Sequence, residues 1–377
     1  MDERPRVDGP RRAIGWVVLA LVVALIGLLP ACEIGEQSAP SSAPASNAAS
    51  PSPSLVEVRP SGGLVLIAAG DIACAPGSSP TPTGCHQATT AALVTAGSGA
   101  RLTAALLLGD TQYESGRADD YASFDATWGQ AIRAAGADVL PVAGNHEWYD
   151  PDPPDSGCTL QHDGRNACGF ESYFGVPALD GSMSDGAGDY VRIFAEQAAH
   201  PLVVIMIDAG VCEHDPTVCG VNGAATRFLT GALADPRVNP PSSCTLVAWH
   251  QARWSDVGHG SIGYVDPLWE ALFGVPGAQR PDLVLSGHDH VYERMPPLSS
   301  GGRPNSEGIP EIVAGAGGRE IAGVPYAGPV PTRAAFMDLQ HFGVLRLDYH
   351  PATADLATSF RTEGGAVVDA QHLTCRT

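Results

Sequence analysis

Seven short apolar runs constrain what this chain can fold into: 64–69 (LVLIAA), 104–108 (AALLL), 139–143 (VLPVA), 202–207 (LVVIMI), 245–249 (TLVAW), 282–285 (DLVL) and 311–314 (EIVA). Each is four to six residues long, rich in Val, Leu and Ile, and bounded by Gly, Asp or Pro. Runs this short and this uniformly apolar suit strands buried on both faces. Helical patterns lie between them at 87–97, 119–135, 223–234 and 266–273. Alternation of strand and helix predicts an α/β sandwich. The segments 342–349 and 355–361 predict a closing hairpin. Residues 148–182, rich in Pro, Asp and Gly, predict a disulfide-stapled surface insertion near the functional site.

The residues just past the ends of these runs carry the chemistry. The first run ends in AAGDIAC, with Asp71, and the second in LLLGDTQY, with Asp110 and Tyr113. The third ends in PVAGNHEW, with Asn145 and His146, and a later one in LVAWHQARW, with His250. LVLSGHDHVYER adds His288 and His290. Ligands of α/β sheets bind beyond the carboxyl ends of the strands. One Asp at a strand end is an ordinary turn residue, but five such ends bearing Asp, Asn, His or Tyr form a metal-ligand pattern. Two hard cations held close together need a shared carboxylate to offset their repulsion, with imidazoles and neutral oxygens around them. Seven candidate ligands (Asp71, Asp110, Tyr113, Asn145, His250, His288 and His290) exceed what one tetrahedral zinc takes.

The order GD…GDxxY…GNHE…H…GHxH resembles the calcineurin-like metallophosphoesterase superfamily, over about residues 65–318. Two departures resemble its purple acid phosphatase branch. The D-x-H of many members is here Asp71-Ile72-Ala73, without the imidazole, and Tyr113 lies three residues after Asp110. The resemblance implies a four-layer αββα sandwich, with two mixed sheets flanked by helices. It implies a first metal on Asp71, Asp110, Tyr113 and His290, and a second on Asp110, Asn145, His250 and His288. A phenolate favours Fe(III) at the Tyr113 site, with Fe(II), Zn or Mn at the other. The implied reaction is hydrolysis of phosphate monoesters by a metal-bound hydroxide, with no covalent phosphoenzyme. A phosphodiesterase or nucleotidase on the same site is an alternative, and a surface-binding lipoprotein with a structural metal site is another. His146 is implied to face the substrate, and His259, nine residues after His250, to bind substrate or donate a proton. Plant members of the branch carry an extra β domain before the catalytic one, for which the segment ahead of residue 63 is too short.

Formal charge narrows the partners. The chain carries −20, from 41 acidic and 21 basic side chains, all of the latter Arg. That balance excludes a nucleic-acid surface, which needs a positive face. A small phosphate ester remains open, since bound cations reverse the local field. The chain is expected to be a monomer that meets a membrane only through its N-terminus.

The N-terminus predicts export. Arg4, Arg6, Arg11 and Arg12 precede an uncharged run at 13–31 that ends in LPAC. This resembles a bacterial lipoprotein signal over residues 1–32, with Cys32 lipidated after cleavage. An uncleaved anchor is the alternative, as 19 apolar residues just span a bilayer. Residues 33–62, rich in Ser, Pro and Ala, read as a flexible tether, and 63–377 as one catalytic domain. Either N-terminal reading places that domain outside the cytoplasm, as a cell-surface lipoprotein or a secreted protein. Nine cysteines less Cys32 leave eight, an even number suited to an oxidising compartment. Neighbours in sequence suggest Cys74/Cys85, Cys158/Cys168 and Cys212/Cys219, leaving Cys244 and Cys375 to tie the C-terminus to a central strand.

Overall fold

The strands run in chain order as β1 (Leu64–Ala69), β2 (Ala104–Leu108), β3 (Asp138–Val142), β4 (Gln161–His162), β5 (Arg165–Asn166), β6 (Met183–Ser184), β7 (Tyr190–Phe194) and β8 (Leu202–Met206). They continue as β9 (Cys244–Gln251), β10 (Leu283–Gly287), β11 (Tyr292–Arg294), β12 (Glu311–Ala314), β13 (Phe336–Asp338), β14 (Gly343–His350), β15 (Asp355–Thr362) and β16 (Val367–Thr374). The helices are α1 (Gln87–Ala96), α2 (Tyr121–Phe124), α3 (Gln130–Ala135), α4 (Cys168–Phe174), α5 (Ala224–Ala234) and α6 (Asp266–Gly274). This computed structural model describes residues 63–96, 101–154, 157–175, 183–185, 187–322 and 333–376. The expected signal segment with Cys32, and the tether at 33–62, lie outside the described residues. Val58–Thr377 forms one compact unit by its contacts.

Two mixed sheets make the centre. One has six strands in the order β16-β15-β14-β1-β2-β3, and the other eight in the order β13-β11-β12-β10-β9-β8-β7-β6. Strands β1-β2-β3 run parallel to one another, as do β8, β9, β10 and β12, so within each sheet their carboxyl ends gather on one edge. Side chains alternate along a strand. In β1, Leu66 and Ala68 share a buried cluster with Leu106, Leu108, Met206, Ala248 and Leu285, which is the layer between the sheets. Val65 and Ile67 face the other way, toward Ala91, Val94 and Ile132 of the helices. On the second sheet Val203, Ile205 and Val247 meet Leu229 and Leu272. The result is the expected four-layer αββα sandwich.

Several details differ from the sequence expectation. The helical pattern at 119–135 is broken by a π turn at Asp125–Gly129, which turns Trp128 inward to donate to Thr90 Oγ1 at 3.1 Å. The closing hairpin is a three-stranded meander, because β16 pairs antiparallel with β15. Its mixture of four polar and four apolar residues hides the strand. The 148–182 stretch is not wholly surface: α4 buries Phe170 in the core. Tyr173 stacks on Tyr121 at 4.8 Å. An abundance of Pro, Asp and Gly masked this aromatic cluster.

Disulfides join Cys74–Cys85, Cys158–Cys168, Cys212–Cys219 and Cys244–Cys375. The last ties the end of β16 to β9 in the middle of the larger sheet. Among the described residues no helix is long and apolar enough to cross a membrane.

Candidate metal centre

Asp71 lies just past β1, Asp110 past β2 and His288 past β10. All three hold left-handed backbone, with φ of 60°, 49° and 72°. Such conformations are costly for residues with a Cβ and cluster at functional sites. The loops are laced together, Asp71 N–H donating to the Gly109 carbonyl at 3.1 Å and Ile72 N–H to the Asp110 carbonyl at 2.9 Å. Gly144, after β3, has to be glycine: a Cβ there would stand 2.1 Å from Asp110 Oδ1.

The seven expected ligand side chains converge on two neighbouring groups of atoms. In the first, the Tyr113 hydroxyl oxygen lies 2.9 Å from Asp71 Oδ1, 2.8 Å from Asp110 Oδ2 and 3.1 Å from His290 Nε2. In the second, Asn145 Oδ1 lies 3.0 Å from His250 Nε2 and 3.2 Å from His288 Nδ1, and those two nitrogens are 3.3 Å apart. Asp110 Oδ2 belongs to both groups, being also 3.3 Å from His250 Nε2. Ligands about 2.1 Å from one cation stand about 3 Å from each other at right angles, so these spacings suit a cation in each group. The His250 ring is set for ligation, since Nδ1–H donates to the Leu108 carbonyl at 2.7 Å and so turns Nε2 into the site.

Electrostatics point the same way. Asp71, Asp110 and His250 are all buried. Burial alone would raise the Asp110 carboxyl, but the His250 and His146 charges outweigh it and hold it far below the usual range. Burial would lower His250 and His290, yet Asp110 pushes the first up to about 10, and Asp71 with Glu320 pushes the second up to about 10. Burial, then Asp110 and Asp71, raises the Tyr113 phenol well above its usual value. The carboxylates thus hold protons on their neighbours in the role a metal would take, and ligation releases such protons. Two carboxylates, a phenol, an amide oxygen and three imidazoles fit a dinuclear site of mixed hard and borderline character.

The two further histidines sit differently. His146 Nδ1–H donates to the Glu114 carbonyl at 2.6 Å, and Nε2 stands 3.9 Å from Asp110 Oδ2. Its backbone N–H donates to Asp110 Oδ1 at 2.9 Å. His259 is exposed, with its ring 4.5 Å from that of His288.

Some supporting residues escaped the sequence reading. Glu147, the fourth residue of GNHE, is fully buried, and its carboxylate accepts N–H groups of Asp110, Thr111, Gln112 and Gly144. Asp289 accepts the backbone N–H of His259, and Glu293 that of Asp256, so the last motif anchors the His259 loop. Each lies within a motif, and that position was the available signal. Tyr149 and Glu213 also border the site and carry no sequence signal. Arg294, together with Tyr292, binds Asp369 and braces the last motif against β16.

The sequence profile of the calcineurin-like phosphoesterase family matches residues 64–292. Two uncharacterised proteins of Mycobacterium tuberculosis, from strains CDC 1551 and H37Rv, are each 29% identical over 165 residues. That match covers 42% of this chain but only 28% of each relative's length. A similar solved structure is a purple acid phosphatase from yellow lupin (Lupinus luteus) seeds, with TM-score 0.59 and 19% identity, covering 84% of this chain and 54% of that one. Another is GAP50, the anchor in the inner membrane complex of Plasmodium, with TM-score 0.57 and 14% identity, covering 84% and 90%. At such identities the likeness is one of fold.

Proposed function

The chain belongs to the calcineurin-like phosphoesterase family, and from that premise we propose that it is a dinuclear-metal phosphoesterase acting on phosphate monoesters. The observation that carries this is Asp110 Oδ2, shared by two groups of donor atoms with edges near 3 Å. Asp71, Asp110, Tyr113 and His290 would hold one ion, and Asp110, Asn145, His250 and His288 the other. The phenol favours Fe(III) in the first group, with Fe(II), Zn or Mn in the second. When bound, the pair supplies the Lewis acidity that activates water and offsets charge on the phosphoryl oxygens.

The protein's own groups do the rest. His146 is oriented by the Glu114 carbonyl so that Nε2 faces the site. A proton on Nε2 stabilises the phosphoryl oxygens and passes to the leaving alkoxide. His259, beside His288, would contact the same substrate from the opposite loop. Four disulfides support an extracytoplasmic location; there the protein would be a secreted or lipid-anchored monomer.

The test uses the full chain made in an oxidising compartment, with an aryl phosphate monoester and the matching diester as substrates. Monoester hydrolysis that disappears in Asp110→Ala is expected. Preferred diester cleavage would move the assignment to a phosphodiesterase. Absence of turnover with metals bound would favour a binding protein. A colourless preparation with stoichiometric iron would contradict the ferric phenolate.

A further inference from the structure

Tyr149 and Glu213 stand behind Asn145. The Tyr149 hydroxyl donates to Glu213 Oε1 at 2.5 Å, and Asn145 Nδ2 lies 3.0 Å from the same hydroxyl oxygen. A phenol has one proton. With that proton committed to a carboxylate, the Tyr149 oxygen can only accept, so the amide must turn Nδ2 toward it. Asn145 Oδ1 is then the atom that faces His250 Nε2 at 3.0 Å and His288 Nδ1 at 3.2 Å. In the flipped amide an NH₂ group, with no lone pair to offer a cation, would take that place.

The parts come from separate segments. Tyr149 closes the short turn Glu147–Tyr149, which starts on the last residue of the GNHE motif. Glu213 ends the turn Gly210–Glu213, next to the Cys212–Cys219 disulfide. That turn lies hard against the β3 loop, where a Cβ on Gly210 would meet the Gly144 carbonyl at 2.4 Å.

We propose that Tyr149 and Glu213 are positioning residues for the second metal, fixing the polarity of the Asn145 amide so that its oxygen alone faces the cation. The inference rests on the dinuclear reading of the site. It makes Glu213 the residue that decides which end of Asn145 is a ligand, acting through the Tyr149 hydroxyl.

The experiment titrates metal-free full-length protein with Zn²⁺ against a competing chelator, which reads two successive affinities. Tyr149→Phe and Glu213→Leu, which has no acceptor for the Tyr149 proton, are each expected to weaken one affinity about tenfold or more, in line with losses on removing outer partners of metal ligands, and to spare the other. Asn145→Asp supplies a carboxylate with no polarity to set, so Glu213→Leu should cost nothing further in that background. Thermal unfolding of the metal-free variants reports folding separately. Unchanged affinities in both single variants overturn the proposal. So does equal loss at both sites, or a Glu213→Leu defect that persists with Asn145→Asp, since either marks a general structural role. Wild-type protein that binds no zinc, iron or manganese overturns the dinuclear reading itself, a distinct result.

Discussion

The Glu147 carboxylate accepts the backbone N–H of Asp110 at 2.8 Å, so the last residue of one motif sets the loop that presents the shared ligand of another. The same oxygen takes the Gly144 N–H at 2.7 Å, and the other oxygen takes Thr111 N–H at 2.8 Å. Burial and the Asp110 charge push the Glu147 pKa up. The carboxylate persists there because backbone donors meet both oxygens.

Glu147→Gln tests that clamp. Whichever way the amide turns, its NH₂ group meets buried N–H donors. Orphaning one or two such donors costs about 1–3 kcal/mol each, so an unfolding free energy lower by about 2–5 kcal/mol is expected. Urea denaturation reads it, and a loss below about 1 kcal/mol contradicts the clamp.

His146→Ala should lower kcat by about 10²–10⁴ for alkyl phosphates, the usual range for a general acid. The loss should shrink for aryl phosphates whose leaving group needs no proton. A loss independent of leaving-group basicity would reassign His146 to binding. His259→Ala with unchanged turnover would remove His259 from the mechanism.

Asp208 gives a pH signature. It is buried, with Trp148 Nε1 donating to both its oxygens and Gly210 N–H to Oδ1. Burial, which outweighs these bonds, raises its pKa from 3.8 to about 7. Folding therefore favours the protonated form, and the folded state binds more protons between those values. This contribution to stability is full below pH ~4 and is lost as pH rises through ~7, worth up to about 4 kcal/mol. Asp208→Asn should gain stability relative to wild type over that window. Parallel melting-temperature curves for the two proteins from pH 4.5 to 7.5 would contradict it.

The disulfides should differ in weight. Cys244–Cys375 closes 131 residues and Cys212–Cys219 only 7. Chain entropy gives about 5 kcal/mol for the first and about 2 kcal/mol for the second. Paired Cys→Ser variants compared by denaturant unfolding should show the longer loop costing roughly twice as much. The reverse order would show that native packing at Cys212, not loop closure, dominates.

Legibility followed locality. Strands β1, β2 and β12 coincide with their apolar runs because buried parallel strands are continuous hydrophobic segments. β16 and β7 were not legible: β16 interleaves polar and apolar residues and is largely exposed, and β7 carries Arg192 among its apolar residues. The ligand set was legible because Asp71, Asp110, Asn145 and His288 each lie within three residues of a strand end.

The sequence by itself determined the strand ends, the kinds of side chain they present and the spacing of the three short disulfides, since these are fixed within a few residues of chain. Only the tertiary structure decided which atoms meet. Glu213 reaches Tyr149 across 64 residues, and His288 reaches Asp71 across 217. A buried carboxylate that accepts backbone N–H groups is the same letter in the sequence as one on the surface. What distinguishes Glu147, Asp289 and Glu213 is the set of donors that folding brings to them.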